Sequence, residues 1–202
     1  DPVRPGDEPR QRVRRTSNSS NPFFEDQPVH SAMLDADKVV VAGHYDLTKK
    51  EDRDAVAEEV RMAVFPAEFT RVSYGYQLSS STGVPEPVIQ PGEKVSVHFF
   101  FWFAEARDSK KMKRLVQTRC ILASPHDEGS GRLSQGVDPS IYNPVHPHYL
   151  ADPIFKDWQG HDLPDPVPER YGFIQKASDE VRIEDPAPEL IKSVERQRRQ
   201  AG

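Results

Sequence analysis

The chain has 202 residues, of which 29% are charged and 19 are proline, with a formal net charge of −5. That length fits one domain with extended arms, and the acidic balance argues against a general nucleic-acid binder, which carries a basic excess. Apolar content is 36%, or about 41% once the 11 Gly are added, against a usual roughly 45–50%, so part of the chain stays out of a core.

Residues 1–28 read as a draped arm, because Pro2, Pro5, Pro9, Pro22 and Pro28 interrupt regular structure and Thr16 to Asn21 is a polar linker. The first residue is Asp1 and not Met, which fits either proteolytic release from a larger precursor or a trimmed chain. No signal-peptide apolar region opens it, and no run approaches the roughly 20 apolar residues of a membrane span. Phe23 and Phe24 stand out in this polar arm, either as an anchor for a neighbour's groove or as the start of the folded domain. Lys38 to Asp46 is a β-branched run and reads as a strand. Thr48 and Glu51 have capping-box spacing, and Val56, Val60, Ala63 and Val64 share one helical face, which predicts a helix over 49–64 ended by Pro66.

Val72, Tyr74, Tyr76 and Leu78 alternate with Arg71, Ser73, Gly75 and Gln77, the pattern of a half-exposed strand over 70–79. A loop follows to Gly92. The next stretch, Lys94 to Ala104, carries five consecutive aromatics, Phe99 to Phe103 with Trp102 among them. Successive strand residues point to opposite sides, so Val95, Val97, Phe99, Phe101 and Phe103 line one face. His98, Phe100, Trp102 and Ala104 line the other. A strand with one wet face alternates and this one does not, so both faces call for cover from a helix, the chain's own tail or another subunit. Arg107 to Lys111 reads as a charged turn, and Leu115 to Ser124 as the returning hairpin strand, with Val116, Thr118, Cys120 and Leu122 on one face.

From Pro125 to Pro188 the texture changes to ten prolines with short apolar islands. Disordered tails are poor in aromatics, and this one is not, which predicts an ordered, irregular wrap. Asp185 and Pro186 suit the N-cap and first position of a last helix, striped by Leu190, Ile191 and Val194 and closed by Arg196, Arg198 and Arg199.

Candidate chemistry is sparse. His146 and His148 form an H-x-H pair near His126, Asp127, Asp152, His161 and Asp162, but nothing fixes the three or four converging ligands that zinc needs, and surface histidines beside carboxylates explain the pattern as well. His98 reads as a core histidine; as a general base it needs a positioned partner, for which Asp46 and Glu105 are candidates. Cys120 is the only cysteine, which excludes an intramolecular disulfide and suits a reducing compartment. Its neighbour Arg119 points to the opposite strand face, so an inert thiol is expected. Ser130 has no nucleophile-elbow context, and no phosphate-binding glycine loop occurs. Arg10, Arg12, Arg14 and Arg15 in the arm, and Lys110, Lys111, Lys113 and Arg114 at the turn, are candidate phosphate contacts or simply solvated charge.

These readings predict an α+β fold: a β-α-β-β-β core over 29–124 with a mostly antiparallel sheet and one packed helix. An arm over 1–28 precedes it, and a proline-rich extension over 125–202 ends in a short helix. The expected role is a non-enzymatic, intracellular or virion subunit of a large assembly, for instance a viral capsid or capsid-surface protein, with no cofactor, no metal and no membrane. Its partners would be other protein subunits, gripped by Phe23, Phe24, Tyr149, Ile154, Phe155, Trp158, Tyr171 and Phe173, since interface energy concentrates in aromatics. One alternative is a small-ligand-binding or hydrolytic domain with a pocket against the aromatic strand, using His98, His44 and Asp46. Another is an RNA-associated accessory subunit using Arg12, Arg14 and Arg15.

Overall fold

A computed structural model describes residues 27–120, 137, 139–142 and 153–200. In chain order its regular elements are β1 (Val29–Val40), β2 (Tyr45–Asp46), α1 (Lys50–Val64), β3 (Tyr74–Leu78), β4 (Val88–Ile89), β5 (Lys94–Arg107), α2 (Ser109–Leu115), β6 (Phe155–Lys156), β7 (Asp162–Leu163), β8 (Tyr171–Ile174) and α3 (Pro188–Gln200). The fold is α+β. A four-stranded antiparallel sheet has the order β1-β5-β3-β8, and β2-β4 and β6-β7 form two small ribbons.

The aromatic strand β5 is a central strand, and its Val95, Val97, Phe99, Phe101 and Phe103 face is buried. Helix α1 lies against that face with Val56, Ala57, Val60 and Val64, as its periodicity predicts. Pro66 stops the helix, and the chain then delivers Phe65 and Phe69 onto β5. Phe65 meets Phe99 edge-on at 5.1 Å between centroids, and Phe69 meets Phe101 at 4.8 Å. Such pairs add roughly 0.5–1.5 kcal/mol each beyond the area they bury.

Several expectations are corrected. The strand expected over 38–46 instead ends β1 at Val40 and resumes as the two-residue β2. Between them the Ala42 and Gly43 amides donate to the Glu59 carboxylate of α1, which replaces a sheet partner. The capping box does not form. The Thr48 hydroxyl donates to Asp46 at 2.6 Å, and Lys49 occupies the cap position without a side-chain bond. The strand expected over 70–79 is regular only from Tyr74 to Leu78. No hairpin strand follows β5 over 115–120; α2 and a π-helical turn, Val116–Cys120, take its place. Asp108 decides this locally, because its carboxylate accepts the Lys111 amide at 2.7 Å and caps a helix that buries Met112 and Leu115. Residues 121–124 lie outside the described residues.

The second half of the proline-rich extension is woven into the sheet. It supplies β8, the strand beyond β3, so the core is not closed by β-α-β-β-β alone. Its Val167, Val181 and Ile183 are buried. Val181 is hydrogen-bonded along β5, its amide donating to Trp102 and its carbonyl accepting from Ala104. Gly172 permits the closest approach, since a Cβ there would stand 2.5 Å from the Tyr76 ring. The expected cap Asp185 is used elsewhere, bonding the Arg107 guanidinium at 2.9 Å, and α3 starts at Pro188.

Buried arginines fix this weave. The Arg170 side chain is fully buried, pairs with both Asp165 oxygens at 2.6 and 2.7 Å, and donates to the Ser79 and Thr82 carbonyls at 2.8 Å each. Removing the arginine leaves the Ser79 and Thr82 carbonyls and the partly exposed Asp165 carboxylate without their donor, a loss at the lower end of the buried-pair range, about 3 kcal/mol. Arg170→Leu should therefore lower unfolding stability by about that amount. Urea denaturation checks it; a loss below about 1 kcal/mol would mean that the anchor carries little of the weave.

Candidate interaction surface

The two faces of the sheet differ in kind. On the α1 side, tyrosines reach carboxylates of the helix across the packing seam. The Tyr74 hydroxyl donates to Glu58 and that of Tyr76 to Asp54, each at 2.6 Å, and Tyr45 donates to Glu59. Glu58 also accepts from Arg61 and Lys176 at 2.8–2.9 Å. Burial alone would raise its pKa, but bonds from Arg61, Tyr74 and Lys176 outweigh that and hold it at about 2, below the ordinary 4.5. Burial and their carboxylate partners push Tyr74 and Tyr76 upward and Tyr45 up to about 12. These phenols stay protonated donors at neutral pH, which suits packing rather than nucleophilic chemistry.

The opposite face of the sheet carries exposed aromatics at its margins and is partly covered in the middle, where Gln77 is buried and Met33, Asp35, His98 and Phe100 are half-buried. Cross-strand register places Ser31 beside Trp102, and Met33, Phe100, Gly75 and Phe173 in one row. Asp35, His98, Gln77 and Tyr171 form the next row. Directly opposed residues share a face, so these side chains lie opposite α1. Trp102 is 51% exposed, and Tyr171 and Phe173 are each 62% exposed. The His30 ring stacks on Trp102 at 5.4 Å and its Nδ1 lies 2.8 Å from the Phe103 carbonyl, which holds the indole in place. Trp102, Tyr171 and Phe173 are thus the aromatic residues of this face that stay exposed among those described.

Two of the expected anchors, Tyr171 and Phe173, lie on this face. Ile154 and Trp158, 77% and 90% exposed, flank and cap the separate β6-β7 ribbon. Phe155 is half-buried with the Arg170 guanidinium over its ring at 5.5 Å, so it is engaged inside the chain. Phe23, Phe24 and Tyr149, like Arg12, Arg14 and Arg15 and the pair His146 and His148, lie outside the described residues. Trp102 is an exposed residue that the sequence does not single out as an anchor, although the unbroken aromatic run is its signal; its strand neighbour Phe100 on the same face is half-buried.

The catalytic alternatives are not drawn together by any recorded contact. His98 sits on the face opposite α1 with its Nε2 3.5 Å from Asp35. His44 is exposed beside β2, and Asp46 is tied to Thr48 and Lys49. A shallow trough of about 580 Å³ lies between the 81–86 loop and β4, lined by Val84, Pro85, Ile89, Glu93 and Lys94 among others, and includes none of those three. Among the described residues no group of three or more His, Cys, Asp or Glu could hold a metal, and no helix is long and apolar enough to cross a membrane. Lys110, Lys111, Lys113 and Arg114 project from α2 into solvent.

Glu58 makes stability depend on acid. Its folded pKa is depressed, so its contribution is complete above the unfolded value of 4.5 and is lost as pH falls toward about 2. Urea midpoints measured from about pH 6 down to about pH 2 should fall more steeply in the parent chain than in Glu58→Gln. Parallel curves would show that Glu58 does not carry the acid sensitivity.

Comparison of the chain with protein-family models, curated proteins and solved structures finds no match.

Proposed function

We propose that this chain is a non-enzymatic interaction subunit that seats a protein partner on the sheet face opposite α1, around its exposed aromatics. The observation that carries the reading is the half-exposed Trp102, stacked on His30, on the sheet face that also carries Phe100 and the exposed Phe173. Soluble monomers seldom expose contiguous apolar patches unless they bind something there. A rigid aromatic loses little conformational freedom on docking and buries a large area, which is why aromatics dominate interface energetics. The exposed Trp158 and Ile154 offer a second, smaller foothold on the β6-β7 ribbon. The tyrosine–carboxylate seam supports the same reading, because it uses its titratable groups to hold α1 to the sheet.

The test is recovery of a partner by the tagged full chain from the cells that make it. Trp102→Ser should reduce that recovery at least about tenfold, the equivalent of about 1.4 kcal/mol, within the range of an interface anchor. The same variant should lose only about 1 kcal/mol of folding stability, since it removes one ring stack from a surface position. Unchanged recovery with Trp102→Ser would overturn the reading.

A further inference from the structure

We infer that the outer side of α2 binds the phosphate backbone of a nucleic-acid duplex, a partner separate from the one proposed for the Trp102 face. The residues of α2 divide by side. Met112 and Leu115 are buried, as is Val116 at the start of the π-helical turn. Lys110, Lys111, Lys113 and Arg114 are exposed and Ser109 is half-buried, so every fully exposed position of the helix is a cation. From Ser109 to Arg119 there are five cations and no acid, in a chain of net charge −5. Positive charge is thus gathered on one short segment of an acidic chain.

The acids that flank α2 are engaged elsewhere. Asp108 caps the helix by accepting the Lys111 amide at 2.7 Å. Glu105 and Asp185 lie 3.6 and 2.9 Å from the Arg107 guanidinium. Among the described residues no acid forms an ion pair with any of the four exposed cations. Lys110 stands three and four residues before Lys113 and Arg114, positions that adjoin on a helix surface, so these like charges repel. A bound polyanion removes that repulsion and gains by releasing its own counterions.

The make-up of the surface selects the class of polyanion. Protein interfaces are depleted in lysine and are held by apolar and aromatic anchors, whereas α2 spends its apolar side chains inside the fold. An anionic membrane is bound by a helix that also offers it an apolar face, and that of α2 is buried. Single-stranded nucleic acid is held through bases stacked on aromatics, and no aromatic lies between Ser109 and Arg119. A duplex turns its bases inward and its phosphates outward, so lysine and arginine alone suffice to hold it. Contacts of this kind position the protein and read no base sequence.

The experiment is fluorescence anisotropy of a short fluorescein-labelled DNA duplex titrated with the full chain at several salt concentrations. Four neutralised phosphates give a slope of about −3.6 in log affinity against log salt, so affinity should fall about a hundredfold between about 50 and about 200 mM salt. Lys110→Gln, Lys111→Gln, Lys113→Gln and Arg114→Gln together remove the charge and keep a good helix former at each position. The combined variant should bind at least about tenfold more weakly at the lowest salt and lose most of the slope, with circular dichroism showing that it is folded. Arg12, Arg14 and Arg15 changed to Gln, or Trp102→Ser, should leave duplex binding as in the parent, so this inference and docking on the Trp102 face can fail independently. A parent chain that does not bind at low salt, or whose affinity does not fall with salt, would overturn the inference. So would a folded combined variant that binds like the parent, loss of binding on changing the three arm arginines alone, or tighter binding of polyglutamate or of a single DNA strand than of the duplex.

Discussion

The structure depends on one constraint, the need to bury the Val95-Val97-Phe99-Phe101-Phe103 face of β5. Five side chains of that size represent on the order of 10 kcal/mol of transfer free energy, far more than any single polar contact in the chain. Helix α1 and the Phe65 and Phe69 rings that follow it meet this need from one side of the sheet. Because β5 is central, its neighbours β1 and β3 inherit an inner and an outer face in register with it. The fate of Leu34, Tyr74 and Tyr76 inside, and of Trp102 and Phe100 outside, follows from that single choice of side.

The polar groups of the inner face follow from the same packing. Tyr74 and Tyr76 are large enough to fill the seam but bring hydroxyls into it, and a buried hydroxyl needs a partner. Asp54 and Glu58 supply the partners; Arg61 and Lys176 offset the charge of Glu58, and Lys50 that of Asp54. Lys176 belongs to the extension, as do Arg170 and Asp185, so the charges that satisfy the core also fix the late part of the chain to the early part. Arg107 shows the reciprocal case: a β5 residue, buried, reaching Asp185 and the Ile183 carbonyl. The extension is thus held by specific ion pairs and buried valines.

Local periodicity made some of this legible. α1 was readable from valines at helical spacing and a proline stop, and β5 from its aromatic run, because both signals are contained within the element. The first half of β1 was missed although Ala32, Leu34 and Ala36 alternate, since the β-branched run beginning at Lys38 drew the boundary. Residues 115–120 alternate like a strand, yet one Asp108 cap set the backbone on a helical course before that pattern could act. β8 could not be read at all. Tyr171 to Ile174 is a short island among prolines, and its strand state comes from pairing with β3 far upstream. The anchors Tyr171 and Phe173 were legible as aromatics, but that they share a surface with Trp102 is a property of register alone.

Trp102, Tyr171 and Phe173 stay exposed among the described residues, and the account holds that a partner uses the face they share. Hydroxyl-radical footprinting measures this directly, comparing the isolated chain with the native complex it enters. Trp102 on that face should lose most of its reactivity in the complex, while Met62, 67% exposed on the far side on α1, keeps its own. Equal reactivity of Trp102 in both states, or protection of Met62 in its place, would contradict the account.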